Sequence, residues 1–304
     1  MAYLPDNFAL LDDADAAYAT ARAVVLPVPF ERTVSYGRGT AGGPAAIVRA
    51  SQAMELYDDE LGSEPYTLGI HTLPPFHPDG FLMDEALGEL EQEAHRHLAV
   101  GKFLVTLGGE HSLTIAPVRA ARRAVTAASE DGGGELGVVQ FDAHADLREE
   151  YGGTPYSHAS VMRRVFEDGM PTLAVGIRSL STPEAGLVGE LSLPVIWGRE
   201  LGAPDTGARF AVLLDTLPEH VYLTFDVDYF DPSLMPATGT PEPGGGHWWP
   251  TLTLLRDLFR RKTVVAMDVV ELAPIGHLHG PEFMAAKLVY KCLGYLQEKE
   301  GADA

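Results

Sequence analysis

Apolar residues in this chain fall in short runs, with longer amphipathic stretches between them. The runs at 22–28 (RAVVLPV), 67–70 (TLGI), 102–107 (KFLVTL), 136–142 (LGVVQFD), 172–177 (TLAVGI), 193–197 (LPVIW), 220–226 (HVYLTFD) and 263–270 (TVVAMDVV) read as β-strands. Several are continuously apolar, the pattern of strands covered on both faces. The stretches 43–52, 84–100, 112–128, 158–169, 207–217, 250–261 and 281–297 read as helices. In the last, Met284, Leu288, Cys292 and Leu296 share one i, i+4 row, Val289 and Leu293 lie beside it, and Pro281 suits a first turn. Leu82-Met-Asp84-Glu85 carries an N-cap signal for the second helix. Strands alternating with helices predict a mostly parallel sheet covered on both sides, with function at the carboxyl ends of its strands.

The 304 residues are read as one domain, 1–304, without internal repeats. Asp131-Gly-Gly-Gly134 is the most linker-like patch, yet it is short and lies between a helix and a strand, so it is read as a loop. Lys and Arg number 22 against 43 Asp and Glu, a net charge of −21 with His neutral. Such acidity argues against nucleic acid or an anionic membrane as partner and favours small cationic ligands. Cys292 is the single cysteine, which fits a reducing, cytoplasmic setting. The N-terminal segment lacks a basic stretch followed by an apolar run, and no run of 18 apolar residues exists, so neither a signal peptide nor a membrane span is expected.

Three strand ends carry chemistry. The run 136–142 leads into Asp142-Ala-His-Ala-Asp146, an Asp-x-His-x-Asp alternation that on extended backbone aims all three side chains to one side. The run 220–226 ends in Asp226-Val-Asp228, again with a shared side. The run 102–107 ends in Gly108-Gly-Glu-His-Ser112, where two glycines permit a tight turn and place His111 at the mouth of a helix. Four buried carboxylates without a partner would cost several kcal/mol each, whereas two divalent cations would balance them. Oxygen and imidazole donors without thiolate suit Mn²⁺ and, less exclusively, Mg²⁺, Fe²⁺ or Co²⁺, and argue against structural zinc. A solvated turn is the bland alternative for either Asp motif alone. A calcium loop starting at Asp226 fails, because its sixth and twelfth places hold Asp231 and Ala237 instead of Gly and Glu. Gly37-Arg-Gly-Thr-Ala-Gly42 matches a dinucleotide pattern but does not directly follow a strand, so it is read as a mobile glycine-rich loop near the site. Glu271 closes the last strand, and His158 follows the Asp-x-His-x-Asp loop; taken alone, they read as an exposed acid and a surface or capping histidine. His71, His77, His247, His277 and His279 carry no assignment.

Taken together, Gly108–Ser112, Asp142–Asp146, Asp226-Val-Asp-Tyr-Phe-Asp-Pro232 and Asp268-Val-Val-Glu271 resemble the ureohydrolase (arginase and agmatinase) superfamily in order and spacing. The segment from Gly37 to Ala50 is similar to that family's N-terminal region. The resemblance implies a single three-layer α/β/α domain with a central eight-stranded, mostly parallel sheet, and two Mn²⁺ per subunit. It implies one ion on His111, Asp142, Asp146 and Asp226, and the other on His144, Asp142, Asp226 and Asp228. It further implies that Asp146 handles the proton of an activated water, Glu271 pairs with the substrate guanidinium, and His158 shuttles a proton. A homo-oligomer, trimer or hexamer, is implied in the same way.

The substrate expected from the resemblance is agmatine, hydrolysed to putrescine and urea. The Asn-rich segment typical of arginases is absent after Asp146, and Tyr156-Ser-His-Ala159 departs from the commoner His-Gly-Thr around the histidine. N1-aminopropylagmatine, giving spermidine and urea, is the alternative. Readings of another class are a single-zinc deacetylase-like amidohydrolase, which would not use His111, and a non-catalytic polyamine-binding protein.

Overall fold

A computed structural model of the chain describes residues 6–129 and 133–303. In chain order the elements are α1 (Asp13–Ala16), β1 (Ala23–Val28), α2 (Gly43–Ser51), β2 (Ile70–Thr72), α3 (Met83–Leu98), β3 (Phe103–Gly108), α4 (Ile115–Ala128) and β4 (Leu136–Phe141). There follow α5 (Val161–Glu167), β5 (Thr172–Ile177), α6 (Thr182–Glu190), β6 (Val195–Trp197), α7 (Thr206–Leu214), β7 (His220–Asp226), α8 (Trp248–Arg261), β8 (Thr263–Val270) and α9 (Gly280–Asp303).

The eight strands form one sheet in the order β2-β1-β3-β8-β7-β4-β5-β6, and every neighbouring pair is parallel. Side chains alternate between its faces, as strand pleating requires. Val25, Val105, Phe141, Phe225 and Met267 pack with α2, α7, α8 and α9 on one face. Val24, Leu104, Val138, Tyr222 and Ala266 pack with α3, α4, α5 and α6 on the other. This is the three-layer α/β/α arrangement that the alternating pattern and the resemblance led us to expect. No helix among the described residues is long and apolar enough to cross a membrane.

Several expectations need correction. The run TLGI is not a strand. Pro65 starts a 3-10 turn over Pro65–Leu68, Gly69 breaks it at φ 77°, and pairing with β1 begins only at Ile70. The stretches read as helices from 112 and 158 open as 3-10 turns, His111–Thr114 and His158–Ser160. Helix α6 escapes the periodicity because Gly186 and Gly189 interrupt a short segment, although Ser181 and Glu184 close a capping box at its start. Leu82, not an acidic residue, occupies the N-cap of α3; its N–H donates to Glu85 at 3.2 Å, and Asp84 sits inside the first turn. The loop expected at 131–134 lies partly outside the described residues.

Chain order explains where the site falls. β1 and β3 are laid down side by side, β4, β5 and β6 extend the sheet beyond a gap, and β7 and β8 then fill that gap. The four central strands β3, β8, β7 and β4 therefore present their carboxyl ends together, at the switch in winding direction. Gly109 makes the turn after β3 possible. A Cβ there would lie 2.0 Å from the Phe30 carbonyl oxygen, which is backbone and cannot swing away. We expect Gly109→Ala to destabilise the protein by about 3 kcal/mol or more, the upper end of overpacking costs. Chemical denaturation checks this; a loss below about 1 kcal/mol would show that the turn has slack.

Candidate metal centre

Each sequence-predicted residue leaves the sheet edge from a defined place. His111 opens the 3-10 turn after β3, Asp142, His144 and Asp146 follow β4, Asp226 ends β7 with Asp228 in the turn behind it, and Glu271 follows β8. The carboxylates of Asp142, Asp146, Asp226 and Asp228 and the ring of His111 are all buried, while His144 keeps about a quarter of its side chain exposed.

Two donor groups form and share Asp142. In one, His111 Nδ1 lies 3.0 Å from Asp146 Oδ2, 3.2 Å from Asp142 Oδ2 and 3.5 Å from Asp226 Oδ2. In the other, His144 Nδ1 lies 2.8 Å from Asp228 Oδ2 and 3.7 Å from Asp142 Oδ1. Single donor atoms of His111, Asp142 and Asp146 all fall within 4.8 Å of one another, as do those of Asp142, His144 and Asp228. The structure thus brings together all six residues expected as ligands.

The surroundings fit cations at these two places. His111 Nε2 faces the Thr224 hydroxyl at 2.9 Å, and that hydroxyl donates to Asp268 Oδ1 at 2.7 Å. With the hydroxyl proton so committed, Nε2 carries a proton toward Thr224, and Nδ1 is the nitrogen left to face the carboxylates. Three carboxylate oxygens surround Nδ1, yet it makes no well-aligned hydrogen bond. An unpartnered nitrogen among converging anions is the geometry of ligands around an ion.

The electrostatics agree. Burial, then Asp228 and Asp146, push Asp142 up to about 7. Burial and the neighbouring carboxylates also hold Asp226 well above the usual range. Burial would depress His144, but Asp228 and Asp142 outweigh it and raise the ring to about 10. Burial likewise opposes protonation of His111, which Asp142 and Asp146 nevertheless drive well above the ordinary histidine value. All four shifts run in the direction of added positive charge at the site.

Glu271 and His158 border the same cavity of about 270 Å³, together with His111, His144, Asp146, Asp226 and Asp228. Asp142, fully buried, is not among its lining residues. Glu271 Oε1 accepts the His111 backbone N–H at 2.6 Å, and burial raises this carboxyl to about 8. Asp146 and Glu271 adopt left-handed backbone, φ 52° and 65°, unusual for residues with a Cβ. Arg163 N–H bonds the Asp146 carbonyl, and Glu271 N–H bonds the Gly109 carbonyl, which hold these conformations in place. His158 packs its ring edge-on to Tyr151, and burial lowers its pKa, favouring the neutral ring. The glycine-rich loop does border the site: Gly37 lines the cavity wall, and its N–H donates to the Gly239 carbonyl.

Sequence reasoning missed the groups behind these residues. Asp268 lies in the Asp268-Val-Val-Glu271 motif, and its Oδ2 accepts the Tyr222 and Thr114 hydroxyls at 2.8 Å each. Gln140 donates to Asp142 Oδ2 at 2.8 Å. Arg178 clamps the carbonyls of Asp228 and Glu242, 2.7 Å from each, and so fixes the loops around β7. The usable signal was position: Gln140 precedes Asp142 by two residues, and Thr224 precedes Asp226 by two, each on the ligand side of its strand.

Residues 21–294 match the family model described as the Arginase family. A protein of Synechocystis sp. named N(1)-aminopropylagmatine ureohydrolase is 41% identical over 302 residues, covering 97% of this chain and 95% of that protein. A Thermus thermophilus protein of the same name is 39% identical over 282 residues, 93% of this chain and 92% of the other. Among solved structures, the agmatine ureohydrolase of Thermoplasma volcanium superposes with a TM-score of 0.85 at 27% identity, covering 99% of this chain and 98% of that one. With the sheet order, the clustered donors and a family match across nearly its whole length, the chain belongs to the arginase family.

Proposed function

We propose that this chain is a binuclear manganese ureohydrolase that cleaves N1-aminopropylagmatine to spermidine and urea. The observation that carries the reading is the pair of donor groups sharing Asp142 at the floor of an acidic cavity. Two such groups, rather than one, favour a metal pair over a single zinc. The names of the curated relatives move the substrate from agmatine, favoured by sequence alone, to the longer guanidine. Agmatine, giving putrescine and urea, is the second reading, supported by the name of the Thermoplasma volcanium structure. A homo-oligomer, trimer or hexamer, in the cytoplasm completes the proposal.

In this reading His111, Asp142, Asp146 and Asp226 hold one Mn²⁺, and His144, Asp142, Asp226 and Asp228 the other. A divalent pair supplies the positive charge that makes water acidic enough to act as a nucleophile near neutral pH. Asp146 accepts a hydrogen bond from the attacking water and passes its proton on. Glu271, its Oε1 fixed by the His111 N–H, pairs with the guanidinium and orients its carbon. His158 exchanges protons between the cavity and the departing amine. Water adds to the guanidino carbon, the bond to the substrate's amine nitrogen breaks, and that nitrogen takes up a proton as urea forms. Asp146, Asp226, Asp228, Glu242 and Glu271 line the cavity against Arg148 as its one Lys or Arg among the described residues, which suits a polycation.

The test is urea release with Mn²⁺ across aminopropylagmatine, agmatine, arginine and guanidinobutyrate. We expect kcat/KM to be highest for aminopropylagmatine; no urea from any of the four would overturn the proposal, and agmatine leading by about tenfold or more, about 1.4 kcal/mol, would install the second reading. Glu271→Gln should lower kcat/KM by about 100-fold or more, as loss of a transition-state electrostatic partner does. Asp268→Asn should weaken Mn²⁺ binding by about 10–100-fold in metal titrations, the usual effect of losing an outer-shell partner.

The pH dependence of stability follows from Asp142 and Glu271. Their folded-state values, about 7 and about 8, lie above the ordinary carboxyl range. The metal-free fold therefore binds more protons than the unfolded chain, and its stability falls as pH rises through that window. Metal binding requires the deprotonated ligands and strengthens in the same direction. We expect the Tm difference between Mn²⁺-loaded and chelated protein to widen between about pH 5 and pH 8. A difference that stays constant or narrows in calorimetry would contradict it.

A further inference from the structure

Behind His158 lies a buried relay. Glu110 has no solvent exposure. Its Oε2 accepts the backbone N–H groups of Arg32 at 2.6 Å and Thr33 at 2.5 Å. Its Oε1 accepts the hydroxyls of Thr33, at 2.8 Å, and Ser112. The Thr33 hydroxyl has one proton and two lone pairs. The proton goes to Glu110. One lone pair accepts the backbone N–H of His158 at 3.0 Å, and the other faces His158 Nδ1 at 3.2 Å.

With its proton committed, this hydroxyl can meet Nδ1 only as an acceptor. The network thus places the imidazole proton on Nδ1. Nε2 has no hydrogen-bond partner among the described protein groups, and the ring lines the cavity. Tyr151 confines the ring edge-on, with centroids 5.5 Å apart. A base whose far nitrogen is held by a second group, itself held by a third, is pre-set in both orientation and tautomer.

We propose that Thr33, oriented by buried Glu110, is a positioning residue that fixes His158 with its proton on Nδ1 and leaves Nε2 as the nitrogen that takes up a proton from the cavity. This deepens the function proposed above and rests on His158 being the proton carrier there. The relay joins the loop after β1, the turn after β3 and the loop after β4, so it also holds the cavity wall to the metal floor.

Two variants at one position test it. Thr33→Val keeps the side-chain volume and removes the hydroxyl, whereas Thr33→Ser keeps the hydroxyl. With Mn²⁺ and aminopropylagmatine, or agmatine if that is the better substrate, Thr33→Val should lower kcat by about 100-fold, the scale of positioned acid–base catalysis, with KM changed by less than about twofold. Thr33→Ser should stay within about threefold of the unmodified protein. Nitrogen NMR of ¹⁵N-histidine-labelled protein loaded with diamagnetic Mg²⁺ should show His158 protonated on Nδ1 in the unmodified protein and in Thr33→Ser, and a shift toward Nε2 protonation in Thr33→Val. An unmodified protein with His158 protonated on Nε2, an unchanged kcat in Thr33→Val, or equal damage from both variants would overturn the proposal. Should the unmodified protein release no urea from any guanidine, the functional reading fails by itself, and the tautomer measurement, which needs no turnover, still decides the part played by Thr33.

Discussion

Four aspartate carboxylates and two imidazoles crowd the end of a fully covered sheet, and neutralising them is the constraint around which the rest of the molecule is arranged. Each buried, unpaired charge costs several kcal/mol, more than any one hydrogen bond returns. The protein meets part of that cost from behind. Backbone N–H groups of Ala143, His144 and Asp228 donate to Asp228, Asp142 and Asp226 respectively, and the Gln140 amide donates to Asp142. What these donors leave unmet points inward, to the two places where the carboxylate oxygens converge. Hydrogen bonds outside and unmet charge inside are how a protein makes a site for cations rather than for protons.

Rigidity comes from the layer below. Phe141 and Phe225, the residues immediately before Asp142 and Asp226, stack with ring centroids 5.3 Å apart and an interplanar angle of 10°, and Tyr229 packs edge-on against both. Such aromatic contacts add about 0.5–1.5 kcal/mol each beyond their buried area. Their larger effect is geometric: two strands carrying ligands are locked in register from Leu136 opposite His220 to Phe141 opposite Phe225. Asp268 reaches the same floor from β8, where it collects three hydroxyls and through Thr224 orients His111.

How far the sequence could be read depends on the range of the forces involved. Buried parallel strands announce themselves by composition, so 172–177, 220–226 and 263–270 coincide with β5, β7 and β8. The grouping of the six expected ligands was legible because short motifs at strand ends have fixed directions once the strand is known, whereas Glu271 and His158 were singled out by the resemblance. TLGI misled because a run that short is decided by its punctuation, Pro65 and Gly69, rather than by its apolar content. Thr33, Glu110 and Arg178 were illegible for a different reason. Glu110 lies inside the Gly108–Ser112 motif but without a role there, nothing in the local sequence sets Thr33 or Arg178 apart, and the roles of all three exist only where distant loops meet. Thr33 and His158 are 125 positions apart.

The position of β8 carries a consequence for biosynthesis. This strand lies between β3 and β7 in space but follows every other strand in the chain, and the contact it brings, Glu271 to His111, spans 160 positions. A nascent polypeptide emerging from the ribosome therefore exposes an incomplete ring of acidic groups beside an open cleft until β8 slots into the middle. Long-range pairing of this kind is slow and leaves strand edges unprotected meanwhile. Completion of the acidic site, and with it the final gain in stability, belongs to the last stage of maturation, after translation has delivered the strand that shuts the sheet.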